Sequence, residues 1–108
     1  MPLGEVRSLA QELYGEMVKA VADIDKQVIA IGGEMHADAE AVLLDQGSSQ
    51  ENLWGFNIYP DKEGEKLAYT SLINIKPRQG NRSQFIEDNA IKSQIKKLVS
   101  ERIPELKL

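Results

Sequence analysis

Gly32-Gly33-Glu34-Met35-His36-Ala37-Asp38-Ala39-Glu40-Ala41-Val42-Leu43-Leu44 is the stretch on which the architecture of this chain turns. After the glycine pair, Glu34, His36, Asp38 and Glu40 alternate strictly with Met35, Ala37, Ala39 and Ala41. A period of two is the pattern of a strand with one wet and one apolar face, and Val42-Leu43-Leu44 would carry it toward the core. The alanine content also permits a short helix, in which His36 and Glu40 become neighbours one turn apart. The strand is the reading taken here.

On the N-terminal side, Val6, Leu9 and Leu13 recur at helical spacing and predict a helix over 3–14, with Gly15 placed to end it. Val18, Val21, Ile24, Val28, Ile29 and Ile31 are β-rich, and Asp25-Lys26 reads as a turn. A hairpin of strands 16–24 and 27–32 is therefore expected, because an interior Gly15 would cost a longer helix about 1 kcal/mol. The competing reading is one helix over 3–25 followed by a single strand. On the C-terminal side, residues 46–52 form a polar loop and Leu53–Tyr59 a strand with Trp54, Phe56 and Ile58 on one face. Pro60 closes that strand, and Leu67–Ile75 is expected as the last one. Residues 77–87 read as a loop. Asp88 or Asn89 caps a second helix with Ile91, Ile95, Leu98 and Val99 as its apolar stripe, and Pro104 stops it. The sum is an α+β fold of one domain over 1–108. It has two layers, with an antiparallel meander of four to five strands packed against N- and C-terminal helices.

Composition narrows the chemistry. The chain has 108 residues and no cysteine, which excludes disulfides, thiolate metal sites and cysteine nucleophiles. Its start carries neither the basic region nor the apolar run of a signal peptide, and no apolar run reaches the ~20 residues that span a bilayer. A cytoplasmic protein with no membrane partner is expected. The net charge of −4 is uneven: residues 1–75 carry 5 basic and 13 acidic groups, residues 76–108 carry 8 and 4. An acidic total argues against nucleic-acid binding, while the split allows a local anion site in the last third or head-to-tail association between copies of the chain.

Three segments stand out together: 32–40, Gln50-Glu51-Asn52-Leu53-Trp54-Gly55-Phe56-Asn57-Ile58-Tyr59-Pro60, and Leu72-Ile73-Asn74-Ile75-Lys76-Pro77-Arg78-Gln79-Gly80-Asn81-Arg82-Ser83. In these the chain resembles a family of short prokaryotic proteins classed as a domain of unknown function, from about residue 10 to the start of the last helix. The resemblance implies a prokaryotic, cytoplasmic protein without an assigned activity, and it supplies no catalytic or binding residues. In that family the N-terminal helix often follows a short extra segment, so an edge element is expected to be missing here.

Three polar clusters could carry a function. On a strand, Glu34, His36, Asp38 and Glu40 would share one face, and one imidazole with carboxylates suits a divalent metal. Their spacing of about 6.6–7 Å lets only adjacent members share an ion. The plainer reading is a solvated strand face. Lys76, Arg78, Gln79, Asn81 and Arg82 around Gly80 could hold a phosphate or carboxylate through paired N–H donors, or the arginines could pair with acidic groups of the sheet. Asn57 and Asn74, each within an apolar strand, could share a structural hydrogen bond or line a pocket with His36. Two functions follow. The first is a small non-catalytic binding or interaction module, homo-oligomeric, with an anion site at Lys76–Arg82 and no cofactor. The second is a metal-assisted hydrolase in which His36, Asp38 and Glu34 or Glu40 hold the ion that activates water.

Overall fold

The computed structural model describes residues 2–108. Helix α1 spans Leu3–Leu13 and buries Leu3, Val6 and Ala10; Gly15, at φ 89°, turns the chain away from it. Strands β1 (Val18–Asp23) and β2 (Val28–Ile31) form the expected antiparallel hairpin. Its turn is built by Asp23, whose Oδ1 accepts the backbone N–H groups of Asp25 and Lys26 and whose Oδ2 accepts the Ser48 hydroxyl. Burial works against this carboxylate, but the Ser48 and backbone bonds outweigh it and hold its pKa below the ordinary value.

Here the structure corrects the reading of 34–44. The segment is a helix, α2, over His36–Asp45. Gly32 and Gly33, at φ 113° and 84°, bend the chain out of the sheet in a conformation that side chains resist. Asp38 then accepts the Met35 N–H and places a negative charge in the first turn. The alternation misled because three of its four apolar members, Met35, Ala37 and Ala41, are exposed. The buried residues are His36, Ala39 and Leu43, at the i, i+3, i+7 spacing of a helix face.

Strand β3 (Leu53–Ile58) is wholly buried and pairs with β1 along its length. The strand expected over Leu67–Ile75 is also shorter than read: β4 is only Leu67–Ala68, paired with Asn57 and Ile58. Beyond it Thr70 bridges to Phe85, and Leu72–Asn74 closes a 3-10 turn. Helix α3 (Asn89–Arg102) is capped by Asp88, which accepts the Ala90 N–H, and is followed by a 3-10 turn at Pro104–Leu106.

The α+β class, the four antiparallel strands and the terminal helices are as expected. The strand order is β2-β1-β3-β4. Helices α1 and α3 lie on one face, over Val18, Ala20, Ala22, Trp54, Phe56 and Ile58. Helix α2 adds a layer on the other, over Val21 and Leu53. Among the described residues no helix is long and apolar enough to cross a membrane.

Candidate functional site

The polar groups of the second sheet face gather where α2 crosses β3. The first residue of α2, His36, points down onto the sheet at 8% exposure, and its Nε2 lies 2.9 Å from the Phe56 carbonyl oxygen. A carbonyl only accepts, so Nε2 carries the proton and Nδ1 keeps its lone pair. Gly55 makes this approach possible. A Cβ on residue 55 would stand 2.5 Å from Ser71 Cβ and 3.2 Å from His36 Cδ2. A glycine inside an apolar strand often marks such a close approach, a signal present in the sequence and not used above.

Asn57 projects beside the imidazole. It is 7% exposed, and its Oδ1 is buried with no hydrogen-bond partner. A carbonyl left in that state costs about 1–3 kcal/mol. His36 and Asn57 line an open cleft of about 340 Å³ with Lys19, Ser71, Met35 and Leu72. Met35 and Leu72 are 59% and 65% exposed, large values for apolar side chains at the mouth of a cleft. Lys19, Ser71, Met35 and Leu72 were missed by the sequence reading, since they come from three separate segments.

Burial pushes the His36 pKa below the ordinary value. The Phe56 carbonyl opposes this, Lys19 adds to it, and a weaker polar interaction with Asn57 opposes it. The imidazole is thus neutral in the fold, and the unfolded chain takes up the proton more readily. Stability due to His36 is full above the unfolded value of 6.5 and falls as pH drops through it. A plot of unfolding free energy against pH between about 8 and 5 should slope downward on acidification, by at most about 1.4 kcal/mol per unit, and His36→Gln should flatten it. An unchanged slope in that variant would show that another group is responsible. The stability due to Asp23, also held low, is fully present above its unfolded value of 3.8 and is lost only as pH falls below it, so it does not tilt this window.

The other candidates fall elsewhere. The strand face that would gather Glu34, His36, Asp38 and Glu40 is not formed. Glu34 is exposed ahead of α2, Asp38 caps it, and Glu40 lies toward Lys76 with Oε2 buried and unpartnered. Among the described residues no group of three or more His, Asp or Glu side chains is arranged to hold a metal.

In the 76–82 loop three of the five candidate side chains, Lys76, Gln79 and Asn81, turn their donors to the protein itself. Lys76 donates to the Gln50 carbonyl, sits 5.2 Å from the centre of the Trp54 ring, and has its pKa lowered by burial, with Glu40 opposing. Gln79 donates to the Glu51 carbonyl. Asn81 donates to the carbonyls of Asn74, Ser83 and Phe85 and accepts the Glu87 N–H. Arg78 and Arg82 are exposed.

Asn74 is fully buried, apart from the cleft group. Its Oδ1 accepts the Gly55 N–H at 2.7 Å, and its Nδ2 donates to the carbonyls of Gly55 at 2.9 Å and Gln84 at 3.0 Å. It thus binds the β3 backbone and not the Asn57 side chain.

The arrangement defines a small α+β domain in which a lone buried imidazole and a buried carboxamide meet at an open, partly apolar cleft. The chain belongs to the family described as "Protein of unknown function (DUF5674)", whose model matches residues 2–102. No curated protein and no solved structure matches it.

Proposed function

We propose that this chain is a small non-catalytic binding module that takes a small anionic ligand in the cleft over His36 and Asn57. The observation that carries the reading is the open cleft of about 340 Å³ that sets Lys19 beside His36 and Asn57, with the exposed Met35 and Leu72 in the same lining. The ligand that fits has an apolar portion for Met35 and Leu72, a polar group beside the Asn57 carboxamide, and a carboxylate or phosphate for Lys19. The anion site thus moves from Lys76–Arg82, where Lys76, Gln79 and Asn81 spend their donors on protein carbonyls, to Lys19.

Asn57→Leu tests this. The substitution keeps the volume and removes the unpaired carbonyl, so it should raise Tm, by about 4–8 °C for each kcal/mol recovered. The wild-type protein should show amide shifts at Asn57 and Lys19 when titrated with hydroxy- and aminocarboxylates such as lactate or 4-aminobenzoate, and Asn57→Leu should abolish them. A lower Tm in the variant would mean that Asn57 is a structural residue and would end the reading.

A further inference from the structure

We infer that the free edge of β2 is the interface of a symmetric homodimer, in which β2 pairs antiparallel with β2 of a second copy. β2 ends the sheet, with β1 on one side only. The register pairs Val21 with Ala30 and Asp23 with Val28, and the Gly32 N–H donates to the Lys19 carbonyl at 3.0 Å. Bonded and non-bonded pairs alternate in an antiparallel ladder. Val28, Ala30 and Gly32 therefore bond to β1, and Ile29 and Ile31 turn their N–H and C=O groups outward. Among the described residues no other element bonds those groups.

The strand reads Val28-Ile29-Ala30-Ile31, every residue half-buried. Edge strands usually carry a charge, a proline or a bulge that prevents pairing, and this one carries no charge and no proline. An apolar groove of about 320 Å³ runs beside it, lined by Ile29, Ala30, Ile31 and Val42 among others, and Val42 is 49% exposed there.

The edge is complementary to itself. A two-fold axis at Ala30 lets Ile29 of each copy exchange both backbone bonds with Ile31 of the other, which satisfies every outward group. Ile29 and Ile31 lie on the same sheet face, packed against the α1/α3 core, so they meet as apolar cross-strand pairs. A strand of a different protein has no reason to match this pattern. This surface is independent of the cleft, and its two-fold symmetry differs from the head-to-tail association that the charge split suggests.

The chain has no cysteine, so Ala30→Cys introduces a single thiol. In the proposed dimer two Ala30 Cβ atoms face each other about 4.5–5.5 Å apart, near disulfide reach, whereas residue 31 faces residue 29. Under diamide, Ala30→Cys should cross-link to the dimer at least about tenfold faster than Ile31→Cys, since only the first holds its thiols at high effective concentration. By light scattering the wild-type protein should have twice the chain mass of 12.0 kDa. Ile29→Pro, which removes an outward N–H and leaves the bonds of β2 to β1 in place, should have the single mass with an unchanged circular dichroism spectrum. Equal cross-linking of the two cysteine variants, a monomeric wild type, or a dimeric Ile29→Pro would each overturn the interface. If Ile29→Pro does not fold, the wild-type mass and the cysteine pair still decide.

Discussion

Gly55→Ala is expected to cost about 3 kcal/mol or more and to lower Tm by on the order of 10–20 °C. The added methyl would lie 2.5 Å from Ser71 Cβ and 2.6 Å from its Oγ. Neither neighbour can retreat cheaply. The Ser71 backbone N–H is bonded to the Gln84 carbonyl, and its Oγ accepts the Ile73 N–H. His36, on the same side, is held by its bond to Phe56. On β3 itself, Gly55 pairs with Val21 and is gripped by Asn74, so the strand cannot shift outward without breaking one set of bonds. Thermal melts of the purified variant check this. A loss under about 1 kcal/mol would show that the 71–73 turn is softer than its bonding implies.

Asn74→Ala is the second large effect, with an expected loss of about 3–5 kcal/mol. On the side of Gly55 away from β1 there is no neighbouring strand, because β4 pairs only with Asn57 and Ile58. The Asn74 carboxamide takes that place, presenting one acceptor and one donor to the Gly55 N–H and C=O as a peptide group would. Its loss leaves the buried Gly55 N–H and C=O unpaired and takes from the Gln84 carbonyl one of its two donors, the other being the Ser71 N–H. Asn74→Asp separates this account from simple packing. It keeps the acceptor but turns a carboxylate oxygen toward two carbonyls, so it should be as damaging as alanine despite its nearly identical shape. Hydrogen exchange at the Gly55 amide should lose protection in the alanine variant. Retained protection would mean that water replaces the side chain.

These two positions also show how much was legible in the sequence. The hairpin, the β3 face of Trp54, Phe56 and Ile58, and the α3 stripe follow from periodicity, because large apolar side chains announce the buried face. The α2 segment misled because alanine is small enough to sit exposed or buried at little cost, so alternation in an alanine-rich run carries little information on burial. The Leu67–Ile75 segment looked like a strand because its residue types are β-formers. Asn74 overrides that preference by taking the backbone bonds for a side chain, a tertiary choice with no local pattern. Asn57 and His36 were both singled out, the first by its rarity in strands and the second as the sole histidine. That they converge depends on α2 being a helix that starts at His36. The donors at Lys76, Gln79 and Asn81 looked like a ligand loop because spacing does not show which way a side chain points.

Asn81 has a practical bearing on engineering. One carboxamide joins the stretch after the 72–74 turn to the approach of α3, at Asn74, Ser83, Phe85 and Glu87. This irregular stretch is therefore a poor host for an epitope tag or a split point, although it resembles a tolerant surface loop in composition. The charged bend at 61–65, exposed throughout, would accept a graft with far less penalty.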